Sequence, residues 1–163
     1  MKNLFQYKAW ANAELLYCMA LISKEQFPEQ WTTAIRLLNH TLVVDKIFIA
    51  HIQQLKPEYT ASNTPETPTL KALGESINET DNWLIQYVAG LNSDLLDKEL
   101  CFRFTDGDNG RMSLSEILNH LLIHGAYHRG NIGMVLTACG IERPRDIFTR
   151  FLHAEEPGRR LNF

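Results

Sequence analysis

From Ser113 to Gly140 the chain carries the start and stop marks of one long helix, and the rest of the fold has to accommodate it. Glu116 follows Ser113 at the spacing where hydroxyl and carboxylate each satisfy an N–H that a helix's first turn leaves unpaired. Gly140 is the residue type best suited to the left-handed conformation that ends a helix. Between them Leu114, Leu118, Leu121, Ile132, Leu136 and Cys139 recur on one stripe. A helix with one apolar stripe has to bury it against other elements, and here the other elements also read as helices.

Residues 4–22 repeat apolar side chains at helical spacing (Leu4, Tyr7, Ala11, Leu15, Cys18, Leu21, Ile22) without an interior Gly or Pro. Pro28 and its neighbours break that pattern. A second helix is predicted over 31–55, with Trp31, Ile35, Leu38, Leu42, Ile49 and Ile52 on one stripe, and a third over 69–89, closed by Gly90. Pro57, Thr64-Pro65 and Thr67-Pro68 mark a polar surface loop between them. Residues 100–112, containing Phe-Thr-Asp-Gly-Asp-Asn-Gly, read as a small hairpin, and a short last helix is expected over 146–153 after Arg143-Pro144. The expected fold is all-α: a four-helix bundle with a hairpin before the fourth main helix and a short C-terminal helix, one domain over 1–163.

Charge and composition exclude several functions. The formal net charge is -3 and the Lys and Arg residues are scattered, so there is no basic footprint for nucleic acid. The apolar run 41–52 is interrupted by Asp45, Lys46 and His51, which argues against a membrane span, and no signal-peptide pattern opens the chain. A cytoplasmic protein is expected. Cys18, Cys101 and Cys139 are odd in number and far apart, which reads as reduced thiols, the first and last of them in apolar helical patterns.

The chemistry lies in the histidines. His120, His124 and His128 follow one another at four-residue intervals, a rise of about 6 Å and a rotation of about 40° per step. His120 and His128 are about 12 Å apart along the axis, too far to share one ion at metal–nitrogen distances near 2.1 Å. On the wheel His128 lies about 40° from the apolar centre, His124 about 80° and His120 about 120°, which selects His124 with His128 and leaves His120 at the margin. Two inward imidazoles need partners for both ring nitrogens in a core with few free backbone groups, and a shared divalent cation supplies one. A third ligand from the second helix is His40 or His51; eleven residues apart, the two face the same way. Asp45 and Asp108 also offer carboxylates, although a buried salt bridge and a turn residue are their plainer readings. No His-Glu-x-x-His or Glu-x-x-His pattern occurs, so the site reads as mononuclear and histidine-rich; imidazoles suit Zn, Ni, Fe or Cu, and Zn, Ni or Fe is expected here. Gly125, Gly130 and Gly133 suggest close approach of a helix or a substrate, and Arg129 reads as a surface cation able to bind an anion at the pocket rim.

The run Leu118-Asn119-His120-Leu121-Leu122-Ile123-His124-Gly125-Ala126-Tyr127-His128-Arg129-Gly130-Asn131-Ile132 resembles the signature helix of the DinB superfamily. Tyr7-x-x-Trp10-Ala11-Asn12, Leu38-Asn39-His40, the hairpin, and Gly140 followed by Pro144 and Asp146 fall in the family's order. The resemblance implies an up-down-down-up bundle, often homodimeric, with a metal held by one histidine of the second helix and two of the fourth, which here are His40, His124 and His128. Asn131 stands where the family commonly has Gln. Members of known chemistry include metal-dependent transferases and isomerases that use low-molecular-weight thiols such as bacillithiol or mycothiol, and others are described as hydrolases. The implied function is a metal-dependent enzyme, a thiol-dependent transferase or hydrolase acting on a small electrophilic substrate; the alternative is a non-catalytic metal-binding stress protein. No catalytic acid or base is assigned among His51, His120, Tyr127, Arg129 and Asp45.

Overall fold

Helices form where the punctuation allows them. The computed structural model describes residues 1–160 and contains α1 (Lys2–Met19), α2 (Pro28–Ile52), α3 (Leu70–Ala89), α4 (Leu114–Ala138) and α5 (Phe148–Glu155), with β1 (Glu99–Arg103) and β2 (Asn109–Ser113) pairing as an antiparallel hairpin before α4. The capping box at the start of α4 is formed in both directions: Glu116 N–H donates to Ser113 Oγ at 3.2 Å and Ser113 N–H to Glu116 Oε2 at 2.7 Å. Gly140 adopts φ +74 at the other end. Thr69 caps α3 through its hydroxyl.

Three expectations shift. α2 begins at Pro28 and not at Trp31, because the first turn has no use for the N–H that proline lacks. The buried face of α1 is Phe5, Lys8, Ala11, Asn12, Leu15 and Met19, so polar residues hold core positions while Leu21 of the predicted stripe is exposed. The last helix begins at Phe148 and not at Asp146, whose backbone is left-handed (φ +41) and whose carboxylate is engaged elsewhere.

Two apolar clusters give the direction of every helix. One gathers Leu15 and Met19 of α1, Ile35 and Leu38 of α2, Leu73 and Ile77 of α3, and Ile132 and Leu136 of α4. The other gathers Phe5, Phe48 with Ile52, Leu84 with Val88, and Leu114 with Leu118 from the same helices in turn. The chain therefore runs up in α1, down in α2, down again in α3 and up in α4, the arrangement the resemblance implies. Two consecutive helices pointing the same way require a long return, and residues 53–69 supply it. That segment lies back along α2: Arg36 donates to the Thr64 carbonyl at 2.6 Å and Asn39 to Thr64 Oγ1 at 2.7 Å. Between the apolar clusters lies a polar layer, and the candidate site belongs to it. No helix among the described residues is long and apolar enough to cross a membrane.

Candidate metal centre

The site is built where α2 and α4 pack against each other. His40 comes from α2, His124 and His128 from α4, and all three are half-buried. The residue after each one, Thr41, Gly125 and Arg129, is fully buried. One residue is about 100° of helix rotation, so the histidines form the edge of the polar layer while their neighbours point into its centre.

One ring nitrogen from each histidine lies within 4.8 Å of the others. His40 Nε2 and His124 Nε2 are 3.0 Å apart. Two bonds of about 2.1 Å to one ion, opened by roughly 90–110°, place their nitrogens about 3.0–3.4 Å apart, so this separation fits a shared cation. His40 Nδ1 is 2.7 Å from the carbonyl of Ser62. A carbonyl only accepts, so Nδ1 carries the proton and Nε2 presents its lone pair, the arrangement by which outer partners orient a histidine ligand. His124 Nδ1 and His128 Nδ1 are buried and meet no hydrogen-bond partner among the described residues. Burial, reinforced by the neighbouring His128 and His40, pushes His124 down from 6.5 to about 3, and burial with His40 lowers His128. Both rings are thus neutral donors at pH 7, the form a metal requires. The residues present fit a divalent ion.

The model of the family described as DinB matches residues 1–159. The chain belongs to the DinB family. It is similar to "Protein DinB" of Bacillus subtilis (strain 168), 25% identical over 154 residues and covering 85% of each chain. No solved structure was found to match.

In this DinB-family chain the other candidates separate cleanly. His51 stacks on Phe102 of the hairpin, centroids 4.6 Å apart, and takes no place in the three-histidine group. His120 stacks on His124 at 5.2 Å and packs at a tilt against Phe48 at 5.0 Å, outside that group as well. Asp108 is a hairpin turn residue whose carbonyl accepts from Phe104 N–H. Tyr127 is exposed and lies against His128, ring centroids 5.1 Å apart. Of the three glycines, Gly125 makes room for the Arg129 and Lys8 side chains and Gly133 for the stem of Arg143, so side chains approach there and not a helix backbone; a Cβ at Gly130 would meet nothing.

Behind the histidines stands a network of which the sequence indicated only the buried salt bridge of Asp45. Lys8 donates to Asp45 Oδ2 at 2.7 Å and to Asp81 Oδ1 at 2.6 Å, and Asn12 donates to Asp81 Oδ2 at 2.7 Å. Burial alone drives the Lys8 ammonium toward neutrality, but the two carboxylates outweigh it and hold the group charged. Burial raises Asp45 to about 6 against the pull of Lys8, and Asp45 Oδ1 faces no donor among the described residues. Arg129 is no surface cation: it is 4% exposed, pairs with Asp146 at 2.9 Å and donates to Asn12 at 3.3 Å. The same wheel contained the signal, since Arg129 lies about 60° from the apolar centre, on the side opposite His128 and nearer to that centre than His124. Lys8 was legible too, one turn from Leu4 and three residues before Ala11. Assigning charged residues to the surface by type hid both.

Proposed function

We propose that the protein is a metal-dependent enzyme, a cytoplasmic thiol-dependent transferase or hydrolase, in which His40, His124 and His128 hold one divalent ion. The observation that carries the reading is the convergence of three histidine nitrogens, with His40 locked by Ser62 into the tautomer that presents its Nε2 lone pair. A divalent ion held by neutral imidazoles would keep its positive charge and lower the pKa of a thiol or water placed beside it. The chain's own contribution is donor geometry and access. The three rings are half-buried, so part of each reaches solvent, and Tyr127 lies against His128. Membership of the DinB family supports the metal, and the negative net charge favours a small-molecule substrate over nucleic acid.

The test is turnover by protein loaded in turn with Zn, Ni and Fe, screened for conjugation of low-molecular-weight thiols to small electrophiles and for ester and amide hydrolysis. Activity that depends on metal and disappears in a folded His124→Ala variant is expected. Stoichiometric metal without turnover across the panel would favour a metal-binding protein instead.

A further inference from the structure

We infer that the hollow between α5 and the strap of residues 141–147 is a second binding site, for a small phosphate-bearing molecule. The strap is anchored from the core. Asp146 holds a left-handed backbone (φ +41) that a non-glycine residue keeps only when its surroundings fix it. Here the one proton of the Tyr7 hydroxyl is shared between its carboxylate and its carbonyl, and Arg129 donates to the carboxylate through Nε at 2.9 Å and Nη2 at 3.3 Å. Arg145, the residue before this anchor and directly after Pro144, is thereby held at a fixed place on the surface. Arg150 is ordered as well: its guanidinium pairs with Glu14 at 3.3 Å and lies 5.3 Å from the centroid of the Trp10 ring.

Arg145, Arg150 and Arg160 line a hollow of about 400 Å³ together with Thr149, His153 and Ile147. No carboxylate is among these lining residues, and among the described residues neither Arg145 nor Arg160 makes an ion pair. With Arg150 already paired to Glu14, the guanidiniums of Arg145 and Arg160 face the hollow without a counter-charge among the described residues, in a molecule whose net charge is -3. A ligand with two or more negative charges would supply that counter-charge. Guanidinium forks match phosphate oxygens two at a time, and the volume suits a small molecule. None of the lining residues belongs to the histidine centre.

Inorganic pyrophosphate, titrated calorimetrically into the full chain at low ionic strength, is the probe. Saturable one-to-one binding is expected in the wild type and in His124→Ala, with affinity at least tenfold weaker in Arg145→Met at an unchanged melting temperature. Arg145 is an exposed side chain, so its replacement leaves the fold intact. No saturable heat, an affinity that Arg145→Met leaves unchanged, or binding that His124→Ala abolishes would each overturn the assignment.

Discussion

The polar layer has two halves that lie back to back and meet burial in opposite ways. On one side Lys8, Asp45 and Asp81, with Asn12, Arg129 and Asp146 beside them, satisfy one another by ion pairs and hydrogen bonds. The oxygen left over, Asp45 Oδ1, belongs to a carboxyl raised to about 6, so a proton can relieve it. On the other side one ring nitrogen from each of three histidines faces the others within 4.8 Å, and the pKa values of His124 and His128 are pushed down, so protons do not fill that space at pH 7. A group with unused lone pairs and no affinity for protons is suited to a cation of another kind. One half of the layer is satisfied within the chain but for one carboxylate oxygen, and the other presents three histidines that could hold a metal ion.

The largest expected effect tests that division directly. His124→Ala should weaken binding of the divalent ion by more than about 100-fold, beyond the 10–100-fold typical of losing an outer partner. Asp45→Asn should leave one ion per chain. Elemental analysis and competition with a chelator measure both, and equal loss in the two variants would break the comparison.

Stability should respond the other way round. Lys8→Met strands two carboxylates in the core and is expected to cost about 3–5 kcal/mol, read from urea unfolding of metal-free protein. His124→Ala under the same conditions should change stability by no more than about 1 kcal/mol, because the half-buried ring takes part in no ion pair. A larger loss in His124→Ala than in Lys8→Met would show that the histidines carry the fold.

The halves also differed in how much of them could be read from the sequence. Helix α4 was legible to its ends because Ser113, Glu116 and Gly140 act through local geometry, which needs no knowledge of the partner helices. His124 and His128 followed from spacing on that helix. The choice of His40 over His51 did not, since both face the same way on α2; the decision depends on the level at which α2 meets α4 and on Ser62, which the return loop brings alongside. The ion-pair half is a long-range object: Lys8 and Asp81 are 73 residues apart, and Arg129 and Asn12 are 117. Helical periodicity marks a position as inward but cannot say that an inward lysine has found two carboxylates. The same limit misplaced Asp146, which reads as a helix start and serves as the anchor of a strap.

The smallest effect is a pH dependence in which the halves pull against each other. In metal-free protein His124 has a folded pKa near 3 against 6.5 in the unfolded chain. As pH falls through that window the unfolded chain takes up a proton the folded one refuses, so this group makes stability fall. Lowering of His128 acts in the same direction. Asp45, raised from 3.8 to about 6, does the reverse: as pH falls from about 6 the folded protein takes the proton first, and stability rises. His124→Ala should therefore retain more of its pH 7 stability at about pH 5 than the wild type does, and Asp45→Asn should retain less. Urea unfolding of the three proteins at both pH values measures the difference, and because His124 is only half-buried its share is reduced by solvent screening. Variants that shift in the same direction would mean that the two halves titrate as one coupled cluster, and the division between a self-satisfied network and an unfilled donor set would not hold.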